Sequence, residues 1–460
     1  MFSSSEFTLF FAATVVCIFG WILPVHAQSI SGIVTTSDQQ QLLSPISDSF
    51  SFSSDSSSSA DITIDPSTVY QQIVGFGSSI TDSAAAAMSD LKAANPSMYQ
   101  QYLQNAFTPQ GAALNYLRVP IGSSDFSNTT YSLDDTSGDT SFNSFEIDNA
   151  PSYLFSTLAD IAAVNSNAKI HILPWSPPAW MKDGNTMNGG SLSSQYVSAY
   201  PTYLLKAVQA FKAKGLLVAA VSIQNEPENS NPTYPSCSMT ADVQATIAKS
   251  LANLSDIKVI GYEHNWQDAD APSAFSGVSF HCYAGSQSDV GAFASQFPNV
   301  PMYQTECAGT TGSNFWTDVQ WYGMMWIFAS PDNGVSPYPG SNSCGNGCRG
   351  VTTVTPSGVT YNQEYYSMAH FARAFTSDDG TSIGSRIAAN TTSSGSDLTA
   401  VAYAVGSKYS LVVMNTGSSA SYTFPTGLTT LWWNSTSTDN TSSSSSSSKK
   451  RMMRRRKFNI

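Results

Sequence analysis

Two glutamates stand where a strand-built scaffold does chemistry. Glu226 ends the run Val221-Ser-Ile-Gln-Asn-Glu-Pro227, and Glu306 ends Pro301-Met-Tyr-Gln-Thr-Glu-Cys307. Each closes a short apolar, strand-like stretch. A carboxylate at the C-terminal end of a parallel barrel strand points into the mouth where (β/α)8 enzymes work, whereas one inside a strand would be buried at high cost. The two lie roughly 80 residues apart, about three strand-helix units of 25 to 30 residues each. That spacing assigns them to strands four and seven. Two carboxylates on opposite walls of one cleft suit glycoside hydrolysis, one protonating the leaving oxygen while the other attacks or activates water.

Other residues at expected strand ends fit the same cleft. Asn225, immediately before Glu226, can hydrogen-bond a sugar 2-hydroxyl. Arg118 in Leu-Arg-Val-Pro ends strand two, and either holds Glu306 ionised and oriented or forms a structural ion pair. Pro174-Trp175-Ser-Pro-Pro-Ala-Trp180 is a stiff turn that can present an indole as a sugar platform. His281 and Tyr283 alternate on strand six, facing the cleft or, for the histidine, satisfied in the core. Glu228 reads as a solvated loop charge. Glu263 and His264 end strand five, where they can line the cleft, and have no third ligand in register for a metal.

The elements that must position these residues alternate. Candidate strands are Gln72 to Gly77, Leu114 to Gly122, Lys169 to Ser176, Val218 to Pro227, Lys258 to Trp266, Gly277 to Tyr283 and Val300 to Cys307. Helical patterns run from Asp82 to Phe107, Ser152 to Asn165 and Tyr196 to Lys214, and Tyr361 to Phe375 forms the last barrel helix. This order indicates a closed parallel α/β barrel. After it, short strands divided by Gly, Ser and Asn indicate a small β-sandwich. The boundaries are a signal peptide at 1–27, a Ser-rich disordered leader at 28–60, a sandwich strand at 61–70, the barrel at 71–375, the sandwich at 376–433 and a Ser-rich basic tail at 434–460.

Composition sets the class of partner. Charged residues make up 11% of the chain and aromatics 12%, with a formal charge of −12. That balance suits neutral sugars and excludes nucleic acid, the basic run Lys449 to Lys457 notwithstanding. The apolar stretch Phe7 to Leu23 before Ala27 marks export, with no membrane span after cleavage, and the sequons at Asn128, Asn253, Asn390, Asn434 and Asn440 fit a glycoprotein. Of six cysteines, Cys17 leaves with the signal and an odd five remain. Cys344 and Cys348 close a tight Gly-rich loop as a disulfide candidate, and at least one thiol stays free.

Together these segments resemble glycoside hydrolase family thirty, and within it the fungal endo-β-1,6-glucanases. The similar blocks are Val74-Gly-Phe-Gly77 with Thr81-Asp-Ser83, Leu117 to Gly122 with Ser124 to Ser127, Pro174 to Lys182, Gln224 to Thr233, Glu263 to Trp266, His281 to Tyr283 and Thr305 to Cys307. The resemblance implies a (β/α)8 TIM barrel with an attached β-sandwich, a retaining double displacement with Glu226 as acid/base and Glu306 as nucleophile, and no metal or organic cofactor. It also places Asp125, Trp175, Asn225, Tyr234, His281 and Tyr283 around the sugar. A secreted monomer acting on β-1,6-glucan is the expectation; the alternatives are a β-1,6-galactanase, a glucosylceramidase-like β-glucosidase or an inactive glucan-binding protein. The chain departs from the family in having only about 20 residues between Glu306 and Trp326 and a short stretch between Asn415 and Ser421. Two readings of the first departure are open. Either Met324 to Ala329 is strand eight and Trp326 takes the family's sugar-stacking position, or Trp316 to Trp326 is one helix and the strand is missing.

Overall fold

The computed structural model describes residues 29–46, 50, 62–267, 273–310, 324–325, 328–330, 336–345, 347–391, 397–417 and 424–434. The expected signal peptide, Trp326 and the basic tail lie outside the described residues. Among them, no helix is long and apolar enough to cross a membrane.

Six parallel strands form the barrel wall in chain order: strand two (Tyr116–Ile121), three (Lys169–Pro174), four (Leu217–Ser222), five (Lys258–Asn265), six (Gly277–His281) and seven (Met302–Glu306). Strand two is buried along its whole length, as a strand covered on both faces must be. Strand one is Gly77–Ser78, beside strand two through a parallel bridge from Ser79 to Arg118. The expected Gln72 to Gly77 is therefore displaced. Only a glycine fits at the crossing, since a Cβ on Gly77 would meet the Tyr116 carbonyl at 1.7 Å. Strand eight is Met324–Met325, parallel to strand one, and the Phe328 N–H continues the contact to the Ser79 carbonyl at 3.1 Å. Of the two readings for this segment, the backbone at 324–325 is the strand. No ladder joins strands seven and eight among the described residues.

The helical stretch after strand one is two helices, Asp82–Ala94 and Pro96–Phe107. Pro96 cannot continue a helix but suits the first turn of the next, and Asn95 caps that turn by accepting the Met98 N–H at 3.1 Å. The last barrel helix, Gln363–Phe375, buries Tyr365, Met368, Phe371, Ala372 and Phe375.

The attached β domain hydrogen-bonds as one seven-stranded antiparallel sheet. It contains Ile62–Gln72, Ser385–Thr391, Leu398–Val405, Lys408–Asn415 and Gly427–Asn434, and also Ser31–Thr36 with its short neighbour Ser44–Pro45. The expected disordered leader is corrected there. Ser31–Thr36 pairs with Gly427–Asn434 over six positions, and Ile33 and Val34 are buried. A fully buried aliphatic side chain contributes roughly 1.5 to 3 kcal/mol, so this β-branched pair outweighs the polar serines that surround it in sequence. One face of the sheet packs on the last barrel helix through Val401, Tyr403, Val412 and Leu428. The other covers Ile62, Ile64, Leu411, Val413 and Trp433.

Candidate active site

Glu226 follows strand four in a left-handed backbone conformation, φ 44°, with its N–H held by the Glu263 carbonyl at 3.0 Å. Such a conformation in a non-glycine residue costs on the order of 1 kcal/mol or more and is kept where the surroundings dictate it. Glu306 is the last residue of strand seven. An oxygen of each carboxylate and a ring nitrogen of His281 all lie within 4.8 Å of one another. The two glutamates, with the buried His281 behind them, open on a cavity of about 450 Å³, lined also by Asp125, Trp175, Asn225 and Tyr234.

The two carboxylates have different escorts. Glu306 accepts from Arg118 Nη1 at 2.6 Å and from the Tyr283 hydroxyl at 2.9 Å. Glu226 faces His281 Nδ1 at 3.1 Å and accepts from the Asn229 amide at 2.9 Å. Burial pushes Glu226 up, but the hydrogen bond and charge of His281 outweigh it and bring the carboxyl down to about 2. Burial pushes Glu306 above its ordinary value, against the pull of His281 and Arg118. Burial pushes the His281 imidazole down, and Glu306, Glu226 and Glu263 together outweigh it and lift it to about 9. In the empty cleft the mobile proton therefore rests on His281.

Arg118 is fully buried and reaches further than one partner. Its Nη2 donates to Asn225 Oδ1 at 2.6 Å and to Glu263 at 3.1 Å, and its guanidinium lies 4.8 Å from the centre of the Trp175 ring. Trp175 lines the cavity, yet it is only 2% exposed. The same ring that was expected as a sugar platform thus has the Arg118 guanidinium over one part of it and borders the cavity with another. Tyr283 offers the open ring instead, 46% exposed. Asp125 is buried, accepts from the Ser343 hydroxyl, and is raised to about 8, mainly by burial. Tyr234 lines the cavity, and its hydroxyl accepts from Asn229 at 3.0 Å. Glu228 is exposed beside His264.

Sequence reasoning missed three things here. Cys282 and Cys307 are disulfide-bonded, as are Cys344 and Cys348, leaving Cys237 as a buried free thiol. The segment with Asn342, Ser343, Cys344 and Cys348 forms one wall of the cavity. Asn229 is a partner of Glu226 that the sequence did not single out, and Glu263, expected at most to line the cleft, lies behind it as a partner of His281. The signal for Glu263 was present, since it is a carboxylate near the end of a barrel strand, the criterion that selected the other two.

A parallel barrel carrying paired carboxylates at the ends of strands four and seven defines a glycosidase-type site. Residues 73–254 match the glycosyl hydrolase family 30 TIM-barrel domain. An endo-1,6-β-D-glucanase of Neurospora crassa is 33% identical over 361 residues, 69% of this chain and 74% of that protein. One from Trichoderma harzianum is 32% identical over 346 residues, 66% and 69% of the two chains. The solved structure of the endo-β1,6-glucanase BT3312 superposes with a TM-score of 0.76 at 24% identity, over 89% of this chain and 99% of that one. The chain belongs to glycoside hydrolase family 30.

Proposed function

We propose that this glycoside hydrolase cleaves β-1,6-linked glucan internally and with retention, with Glu226 as acid/base and Glu306 as nucleophile. The observation that carries the assignment is the pair of escorts. Arg118 never loses its charge and pairs with Glu306, partly offsetting the burial that raises its carboxyl and favouring the anion that attacks, whereas His281 titrates and can hand Glu226 a proton. An oxygen of each carboxylate within 4.8 Å of the other supports the close spacing of a retaining pair. Asp125, Asn225, Tyr234 and Tyr283 bind the sugar on the glycosyl side of the cleaved bond. The two disulfides support an oxidising, extracellular setting, and the names of the fungal relatives support the β-1,6 linkage.

Incubation with linear β-1,6-glucan, β-1,3-glucan, β-1,6-galactan and glucosylceramide tests the substrate. Oligosaccharides from the first alone are expected. Products from galactan or glucosylceramide move the specificity, and binding without products makes the chain a glucan-binding protein. Glu306→Gln should abolish glycosyl-enzyme formation. Glu226→Ala should lose roughly 100-fold or more on glucan yet be partly spared on an activated aryl glycoside, whose leaving group needs no proton. Equal loss on both substrates would refute the role of Glu226.

A further inference from the structure

Glu263 is a third carboxylate in this site, fully buried and absent from the cavity lining. Strand five delivers it through an irregularity. Its pairing with strand six shifts register between Tyr262 and His264, and both Tyr262 and Glu263 adopt left-handed φ, 71° and 50°. The distortion turns the Glu263 carboxylate inward, where it is heavily engaged. Oε1 accepts from the Ser222 hydroxyl at 2.6 Å, and Oε2 accepts from Arg118 Nη2 at 3.1 Å and from Thr305 Oγ1 at 2.8 Å. His281 Nε2 lies 3.0 Å from the same Oε2. Glu263 thus grips the two cations that in turn grip Glu306 and Glu226, while its carbonyl holds the Glu226 N–H.

We propose that Glu263 is a positioning residue for proton transfer: by accepting Nε2–H of His281, it keeps the imidazole charged with Nδ1–H aimed at Glu226, so that His281 stores the proton Glu226 delivers to the leaving oxygen. This rests on the acid/base role of Glu226. In the first step the Nδ1–H bond breaks, its electron pair stays on Nδ1, and the proton passes to the Glu226 carboxylate. From there it goes to the glycosidic oxygen as the bond from that oxygen to the anomeric carbon breaks and a Glu306 carboxylate oxygen bonds to that carbon. In the second step the water oxygen bonds to the anomeric carbon, the bond from that carbon to Glu306 breaks and leaves its electron pair on the carboxylate, and Glu226 takes a proton from the water and returns one to Nδ1, so each cycle closes without a further reactant.

The charges facing His281 come from every neighbouring strand: Glu226 after strand four, Glu263 and His264 from strand five, Glu306 from strand seven, Arg118 from strand two, and Tyr283 from its own extension. The three carboxylates favour the imidazolium; Arg118 and, when charged, His264 oppose it. His171 sits on the far side of Glu263, 3.5 Å from Oε1, and burial keeps it neutral, down to about 4. Glu263 is the one carboxylate of the three that neither forms nor breaks a bond in the reaction, so its charge can be removed without removing a reacting group.

The test is the pH dependence of kcat on β-1,6-glucan. The wild-type enzyme should lose activity on the alkaline side as His281, whose pKa the surrounding carboxylates raise, gives up its proton. In Glu263→Gln that alkaline limb should fall by roughly one pH unit or more, the usual effect of a full charge at contact distance, whereas Glu263→Asp should lower kcat with the limb nearly in place. A lower plateau with an unmoved limb in Glu263→Gln means a structural role only and overturns the proposal. Should that variant fail to fold, wild-type enzyme labelled with nitrogen-15 histidine gives the answer by NMR. One imidazole should stay doubly protonated well above neutral pH, and its signal should vanish in His281→Asn. A neutral His281 near pH 7 overturns the proposal. Failure of the Glu226→Ala test on the aryl glycoside would remove the Glu226 role and this proposal with it. An unmoved limb with that test passed removes only the part given to Glu263.

Discussion

Asp125 carries a proton at neutral pH. Burial is the main cause, the nearby Glu306 and Glu226 charges add to it, and the Ser343 hydroxyl does not offset them, so the carboxyl titrates at about 8. One oxygen accepts from Ser343, while Oδ1 is buried without a hydrogen-bond partner among the described residues. In the proposed complex, the protonated form can donate to a sugar hydroxyl. Above about pH 8 it becomes a further anion beside Glu226 and Glu306. The KM for glucan should therefore rise above that pH in the wild-type enzyme, while Asp125→Asn, which keeps a donor but cannot ionise, should show a flatter KM. An identical alkaline rise in both proteins would separate Asp125 from substrate binding. Because this effect falls on KM and the His281 effect on kcat, the two can be read from one set of pH profiles.

At the scale of elements, the strand ends were legible in the sequence because each catalytic candidate closes an apolar run, and polarity changes sharply there. The break before Pro96 was legible by the same kind of local rule, although the expected helix ran through it. What sequence could not supply depends on register. Cys282 and Cys307 meet because strands six and seven run side by side with an irregularity between Gln304 and Glu306, and nothing local in either segment announces that alignment. The turn of Glu263 into the site depends likewise on the shift in strand five. The Cys282–Cys307 bond has a mechanical consequence. Strand seven is paired on one side alone among the described residues, and the disulfide fixes the residue after Glu306 to the residue between His281 and Tyr283. Replacing both cysteines by serine should cost roughly 3 kcal/mol in urea unfolding, the value for a loop of this size, and should reduce kcat. The Cys344–Cys348 loop spans four positions, so its loss should destabilise less. It should instead raise KM, because Cys344 and Cys348 line the cavity. A swapped pattern, with kcat following Cys344 and Cys348, would mean that strand seven needs no staple.

Across the whole molecule, the barrel and the antiparallel sheet share one histidine. His370 lies on the last barrel helix, fully buried, with Nδ1 at 2.7 Å from the Thr430 hydroxyl and Nε2 at 2.9 Å from the Thr35 hydroxyl. Those threonines belong to Gly427–Asn434 and Ser31–Thr36, so one imidazole ties the helix to two neighbouring strands of the sheet. Burial, reinforced by Arg373, pushes it down to about 3 from an ordinary value of 6.5. Between those values the unfolded chain binds a proton that the folded chain refuses, so this group's contribution to stability is complete above about pH 6.5 and is lost as pH falls toward 3. His370→Leu cannot titrate and removes one hydrogen bond from each threonine hydroxyl, leaving Thr35 its bond from the Leu43 N–H and Thr430 its bond to the residue 370 carbonyl. Near neutral pH it should be less stable than wild type by about 1 to 3 kcal/mol. On acidification the gap should narrow, by at most about 1.4 kcal/mol per pH unit, because only the wild type carries the histidine penalty. Urea unfolding of both proteins at neutral and mildly acidic pH measures it. A gap that stays constant with pH would show that His370 titrates alike in the folded and unfolded chains, and that the junction between barrel and sheet is not where acid acts.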